Sequence, residues 1–420
     1  MTKFRAYFVV LAIILFVTFV TLAQMKSDPS GTWGGAMTTE AGTSGLELTL
    51  AREAAGWKAT IKVRAQGQEI APPVQDLQIK DAKISFAIQL PRNLVKFAGQ
   101  FAGDRLSGTV EVFQDDKKIR SGTFSLAFGG SMPASQQTGV QMADPDFNAK
   151  VEKPAYKNSG PKVLFDEAHH NFHTATGRYK PFADLITNDG YQIVSNTQKF
   201  SPKVLNGYRI LVISNALGAA LMADPKAASP AFTDAESDVV RDWVRGGGSL
   251  LLIADHAPMG SANQILGQRF GVDMSKMYTA DPENSDKGST SFIVYTRGSG
   301  RLANHPVTRG RNESERVNKV IAFTGQSLKG PADSVAFMKL ADTAKDAMPG
   351  VNTNAVSAAG RAQGIAMKFG KGRVIFLGEA GMLSAQVAGA QQLKFGMNRP
   401  GIDNRQLALN IMHWLSGILK

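Results

Sequence analysis

Apolar and polar residues alternate through the first third of the chain. Leu46-Glu47-Leu48-Thr49-Leu50, Lys58 to Val63 and Lys83 to Ile88 place apolar side chains at every second position, the period of a strand with one buried face. Val95 to Phe101, Leu106 to Phe113 and Gly122 to Phe128 continue the series. Gly42, Gly45, Gly56, Gly67, Gly103-Asp104 and Asp115-Asp116 punctuate it at hairpin intervals. No segment of residues 30–128 carries a long helical period, so a small antiparallel β-barrel or sandwich is predicted there.

Residues 129–161 lack either period. Gly129-Gly130-Ser131-Met132-Pro133, Ala143-Asp144-Pro145-Asp146 and Gly160-Pro161 mark them as a linker. Beyond it, residues 162–420 alternate short apolar strands with amphipathic helices. Strands are predicted at Lys162 to Phe165, Tyr191 to Ser195, Ile210 to Ser214, Ser249 to Ala254 and Ser291 to Tyr295, with a hairpin at Ile365 to Leu377. Helices are predicted at Tyr179 to Asp189, after the Thr233-Asp234-Ala235-Glu236 capping box, at Ser261 to Phe270 and after Asp403. Such alternation predicts an α/β unit with a mostly parallel, doubly wound sheet. Ligands of such sheets bind beyond the carboxyl ends of the strands.

The chain has 420 residues and no cysteine. Disulfides, zinc ribbons, thiolate iron–sulfur clusters and cysteine nucleophiles are thereby excluded. Lys3 and Arg5 precede an uncharged run from Ala6 to Ala23, and Thr21-Leu22-Ala23 supplies small residues for cleavage. Residues 1–23 therefore read as a secretory signal, and the protein as exported, periplasmic or extracellular. About 18 apolar residues just span a bilayer, so the same run is long enough for an uncleaved anchor. The net charge of +12 comes from scattered lysines and arginines without interleaved aromatics. That distribution argues against a nucleic-acid partner and leaves membrane contact to an uncleaved N-terminal segment.

Candidate chemistry gathers at three predicted strand ends. Phe165 leads into Asp166-Glu167-Ala168-His169-His170-Asn171-Phe172-His173, Ala254 into Asp255-His256, and Leu377 into Gly378-Glu379. As a binding site, the expectation is a pocket using Asp166, Glu167, His169, His170 and Asn404, the last at a helix start that offers itself to anions. As a catalyst, Glu379 or Asp255 is the general base with His256 or His169 as its partner. As a metal site, a divalent ion is expected on Asp166, His169, His173 and His256; His169 and His173 share one face if the segment is helical. His305 is assigned to a turn and His413 to packing. Gly-x-Ser-x-Gly and phosphate-loop signatures are absent.

On Asp166-Glu167-Ala168-His169, the strand from Gly246 to His256, Gly372-Arg373-Val374 with Gly378-Glu379-Ala380, Asp403-Asn404 and His413-Trp414-Leu415, residues 162–420 resemble a known superfamily. It is the class I glutamine amidotransferase-like superfamily, in an exported branch related to gliding-motility, transport-associated and trehalose-utilisation-like domains. The resemblance implies a flavodoxin-like three-layer fold. Members with amidotransferase activity carry a cysteine on the turn after a central strand, where Asp255-His256 is expected here, so that activity is not. What remains is an envelope protein binding a small molecule, sugar, peptide or anion, envelope polysaccharide included, or alternatively a hydrolase, metal-dependent or not, using the same cluster.

Overall fold

The computed structural model describes residues 28–39, 42–54, 56–65, 68–90, 93–114, 116–132, 141–348, 355–388 and 393–420. The predicted leader and residues 133–140 of the predicted linker lie outside them. Strand residues outnumber helical ones, 40% to 18%, a more β-rich balance than strand–helix alternation alone foretells.

Nine strands make the N-terminal unit: β1 (Gly31–Thr39), β2 (Gly42–Glu53), β3 (Gly56–Ala65), β4 (Gln68–Ile70), β5 (Val74–Lys80), β6 (Lys83–Gln89), β7 (Leu94–Ala102), β8 (Arg105–Gln114) and β9 (Lys117–Phe128). They pair antiparallel in the order β4-β3-β2-β1-β9-β8-β7-β6-β5, and the sheet curls into a half-barrel. Its concave face collects the alternate apolar residues, with Trp33, Leu46, Leu48, Leu50, Ile61, Phe97, Phe101, Leu106 and Val110 all buried. At Gly108 a Cβ would lie 2.0 Å from the Ala98 carbonyl oxygen, so this close strand contact requires glycine. β1 and β5 escape period-two reading because β1 is rich in glycine and threonine and β5 is largely solvent-facing.

Two residues of the predicted linker form β10 (Met142–Ala143), which pairs antiparallel with the Ala385–Ala388 strand. The C-terminal unit then carries β11 (Lys162–Asp166), α1 (Lys180–Asn188), β12 (Gln192–Asn196), α2 (Pro202–Leu205), β13 (Ile210–Ser214), α3 (Asp234–Arg245), β14 (Ser249–Ile253), α4 (Met259–Gln268), α5 (Pro306–Arg309) and α6 (Asn404–Ser416). Four of these strands and the Gly372–Leu377 strand lie parallel in the order β12-β11-β13-β14-Gly372–Leu377. The Ala362–Phe369 strand closes the hairpin antiparallel to Gly372–Leu377, about the Gly370-Lys371 turn.

Every residue of β13 and β14 is buried, which explains why these strands read as continuous apolar runs. Phe165, Val212, Leu251, Ile253 and Ile375 pack with Phe182 and Leu185 of α1 and Leu407 and Ile411 of α6. On the opposite face Leu164, Leu211, Leu250, Leu252 and Phe376 pack with Val240 and Val244 of α3 and Ala262 and Leu266 of α4. The helix starts follow their local chemistry. Thr233 and Glu236 form the expected reciprocal capping box, and Pro181 sits harmlessly in the first turn of α1. His305 accepts from the Val307 amide as the cap of α5, its predicted turn role. Asp403, just ahead of α6, makes no cap bond to it; its Oδ2 accepts from the Asn318 and Lys319 amides, 2.7 and 3.0 Å.

Candidate functional site

A cavity of about 1070 Å³ opens beyond the carboxyl ends of β13, β14 and the Gly372–Leu377 strand. The first residues past those strands supply its polar wall: Asn215, Asp255 with His256, and Glu379. The loop after β11 adds Phe172, His173 and Arg178, and the remainder includes four aromatic residues, Tyr278, Phe292, Phe323 and Phe395.

Asn215 organises the polar wall. It is buried at φ +51°, a left-handed conformation that asparagine tolerates better than most residues. Its Oδ1 accepts the Asp255 amide at 2.9 Å, and its Nδ2 lies 3.4 Å from His173 Nδ1. The His173 ring stacks on Tyr179 at 4.6 Å, and its Nδ1 is 3.2 Å from Ser214 Oγ. Burial, reinforced by the charge of Arg178, drives the His173 pKa well below the usual range, so the imidazole is neutral at pH 7.

Asp255 and Glu379 form a mutually sensitive carboxylate pair. Asp255 Oδ1 accepts its neighbour's amide, from His256, at 2.8 Å, and Oδ2 receives the Ala380 amide at 3.4 Å. Glu379 accepts from the Gly381 amide at 2.5 Å and from the Met382 amide at 2.8 Å. Burial raises both pKa values; Glu379 goes well above the carboxylate range because the Asp255 charge adds to burial. The pair therefore holds a proton more readily than two separate carboxylates. Beside it, His256 stacks on Tyr278 with ring centroids 4.0 Å apart, and His256 Nδ1 donates to the Ala257 carbonyl at 2.8 Å.

The sequence-predicted set divides in the structure. Asp255, His256, His173 and Glu379 share the cavity. Asp166 and His169 do not: they are buried in a neighbouring triad, with His169 Nδ1 at 2.9 Å from Asp166 Oδ2 and Nε2 at 3.0 Å from Glu236 Oε1. Burial acts to raise Glu236, but bonds from His169 and Thr233 outweigh it and bring its pKa to about 2. Residues 167–179 form no helix, which removes the one-face placement expected for His169 and His173. With both His169 nitrogens occupied and His173 and His256 on the cavity wall, the proposed metal set is not one coordination sphere. Among the described residues no three His, Asp or Glu side chains group as a metal ion requires.

Three further assignments change. Glu167 Oε1 accepts from the Ala175 amide and the Ser195 hydroxyl, fixing the loop rather than facing the cavity. His170 is exposed at φ +49° beside a second cavity of about 530 Å³, with Glu236 and Lys199. Asn404 is fully buried, its side chain bonded to the backbone of Ile321 and Met382, so it offers nothing to an anion. His413 packs as expected, its Nε2 2.7 Å from Asp189.

Sequence reading missed Asn215, Arg178, Tyr278 and Glu236. A polar pair closing an apolar strand, Ser214-Asn215, was the available sign for the first. Nothing in the chain's pattern brings Glu236 to His169, 67 residues away.

No family model matches this chain, and no curated protein matches it. Among solved structures, the N-terminal domain of mmIFT52 is similar at 14% identity, over 61% of this chain and 97% of that one, with a TM-score of 0.43. Cytoplasmic Protein STM3548 from Salmonella typhimurium is similar at 12% identity over 61% and 99%, TM-score 0.35. Gan42B, a GH42 beta-galactosidase from G. stearothermophilus, is similar at 12% identity over 62% and 30%, TM-score 0.32.

Proposed function

We propose that the chain is an exported envelope protein whose C-terminal unit binds a small sugar in the strand-end cavity, without amidotransferase activity. The observation that carries this reading is the composition of the cavity wall: flat aromatic faces beside a cluster of fixed polar groups. Aromatic faces take the apolar side of a pyranose, and Asp255, the neutral His173 and Asn215 offer acceptors and donors for hydroxyls. Tyr278 is the platform we assign, its ring fixed by stacking on His256 through one face.

The parallel order of the five strands, with helices on both faces, supports a flavodoxin-like, doubly wound unit related to the class I glutamine amidotransferase-like superfamily. The chain lacks the cysteine that amide transfer needs. A hydrolytic reading draws on the Asp255–Glu379 pair, whose raised pKa values suit proton transfer. Binding is favoured because both Glu379 oxygens are taken by backbone amides.

Titration calorimetry of the full chain with neutral and acidic monosaccharides tests the reading. One-to-one binding is expected, with Tyr278→Ala weakening it about tenfold, the equivalent of roughly 1.4 kcal/mol of lost stacking. Absence of heat across the whole panel overturns it. Export is tested separately by fractionating cells that express the chain with a C-terminal tag; recovery in the cytoplasm refutes it.

A further inference from the structure

We propose that Arg178 is the oxyanion-recognising residue of the cavity and that the ligand is an acidic sugar, a pyranose carrying a carboxylate or phosphoryl group. This rests on the sugar-binding reading above and adds the ligand's charge and orientation.

Three cationic side chains line the cavity: Arg178, Lys394 and Arg399. Two have acidic partners of their own. Arg399 pairs with Asp286, and Lys394 lies 3.8 Å from Asp144. Arg178 makes no ion pair or hydrogen bond among the described residues; its guanidinium lies 4.4 Å from the centroid of the Phe172 ring. Burial alone brings its pKa down to about 10, so it remains charged at neutral pH. A partly buried guanidinium on a cavity wall with no carboxylate of its own has its donors free for an anionic ligand. Its flat fork, steadied by Phe172, matches the two oxygens of a carboxylate or phosphoryl group.

The remaining wall sets the orientation. Burial raises the pKa values of Asp255 and Glu379, so this end of the cavity already disfavours negative charge and is a poor seat for a ligand anion. The ligand's acidic group therefore goes to Arg178 and its hydroxyls to the Asp255 end. The neutral His173 contacts Asn215, which holds the Asp255 amide, and lies in the electrostatic reach of Arg178.

The test uses the full chain and four probes: D-glucuronate, its neutral methyl ester, D-glucose 6-phosphate and D-glucose. At least one acidic probe is expected to bind tenfold or more tighter than glucose. Whichever acidic probe is tighter identifies carboxylate or phosphoryl as the source of the charge. The methyl ester, which needs no altered protein, is expected to fall to the level of glucose if glucuronate is the tighter. Arg178→Met is expected to cost an acidic probe thirtyfold or more and glucose less than threefold, with Arg178→Lys between wild type and Met. Glucose binding as tightly as both acids overturns the inference while the sugar site stands. Equal losses for acidic and neutral probes in Arg178→Met overturn it as well. Failure of every probe to bind removes the sugar site and the inference together.

Discussion

Removing the Asn215 side chain tests whether one strained residue holds the polar wall in place. Asn215→Ala loses the bond from the Asp255 amide at 2.9 Å and the contact to His173 at 3.4 Å. Each buried bond is worth about 1 kcal/mol net. Alanine also carries a left-handed penalty of about 1 kcal/mol at φ +51°. The sum is about 3 kcal/mol of local destabilisation. Asn215→Gly loses the same bonds and escapes the backbone penalty, but it gains unfolded-state entropy worth about 0.4–1 kcal/mol; glycine should finish ahead of alanine by up to about 0.6 kcal/mol. Hydrogen exchange read by mass spectrometry on a peptide containing Asp255 follows this directly, because the Asp255 amide is the donor that is orphaned. Exchange should accelerate about a hundredfold in Asn215→Ala and less in Asn215→Gly. A wild-type exchange rate in the alanine variant, or stronger protection in alanine than in glycine, refutes the reasoning.

Acid stability should report on the Asp166–His169–Glu236 triad. Glu236 falls from an ordinary value of 4.5 to about 2 on folding; its contribution is complete above 4.5 and is lost as pH drops through 2. Glu236→Gln should flatten the thermal midpoint between pH 4.5 and 2, and an unchanged slope there counts against the assignment. In the N-terminal unit, Gly108→Ala forces a Cβ to within 2.0 Å of the Ala98 carbonyl. It should destabilise that sheet by about 2 kcal/mol or more; wild-type melting of the sheet is the contrary result.

What was legible in the sequence followed from local periodicity. The half-barrel strands with strict alternation, the apolar parallel strands and the Thr233 capping box each encode their geometry in a few neighbouring residues. Strand ends therefore located Asp255, His256 and Glu379 at the cavity. The helix assumed for His169 and His173 failed because Asn171 and Gly177 belong to an irregular loop, in which His169 is drawn to Asp166 and Glu236. Asn404 failed for a related reason: a helix start reads as exposed, yet this one is clamped under Ile321. Arg178 carries no motif, and its importance lies in the partner it lacks, which only three-dimensional neighbours reveal.

The pairing of Met142 and Ala143 with Val387 and Gln386 has a practical consequence. Gln141, just ahead of that pairing, stands on the same rim as Gln386 and Ala388. A fragment cut at residue 162 to isolate the α/β portion would strip one edge from the vessel it was meant to study. Dissection of this chain should begin upstream of Gln141, so that the rim travels with its floor.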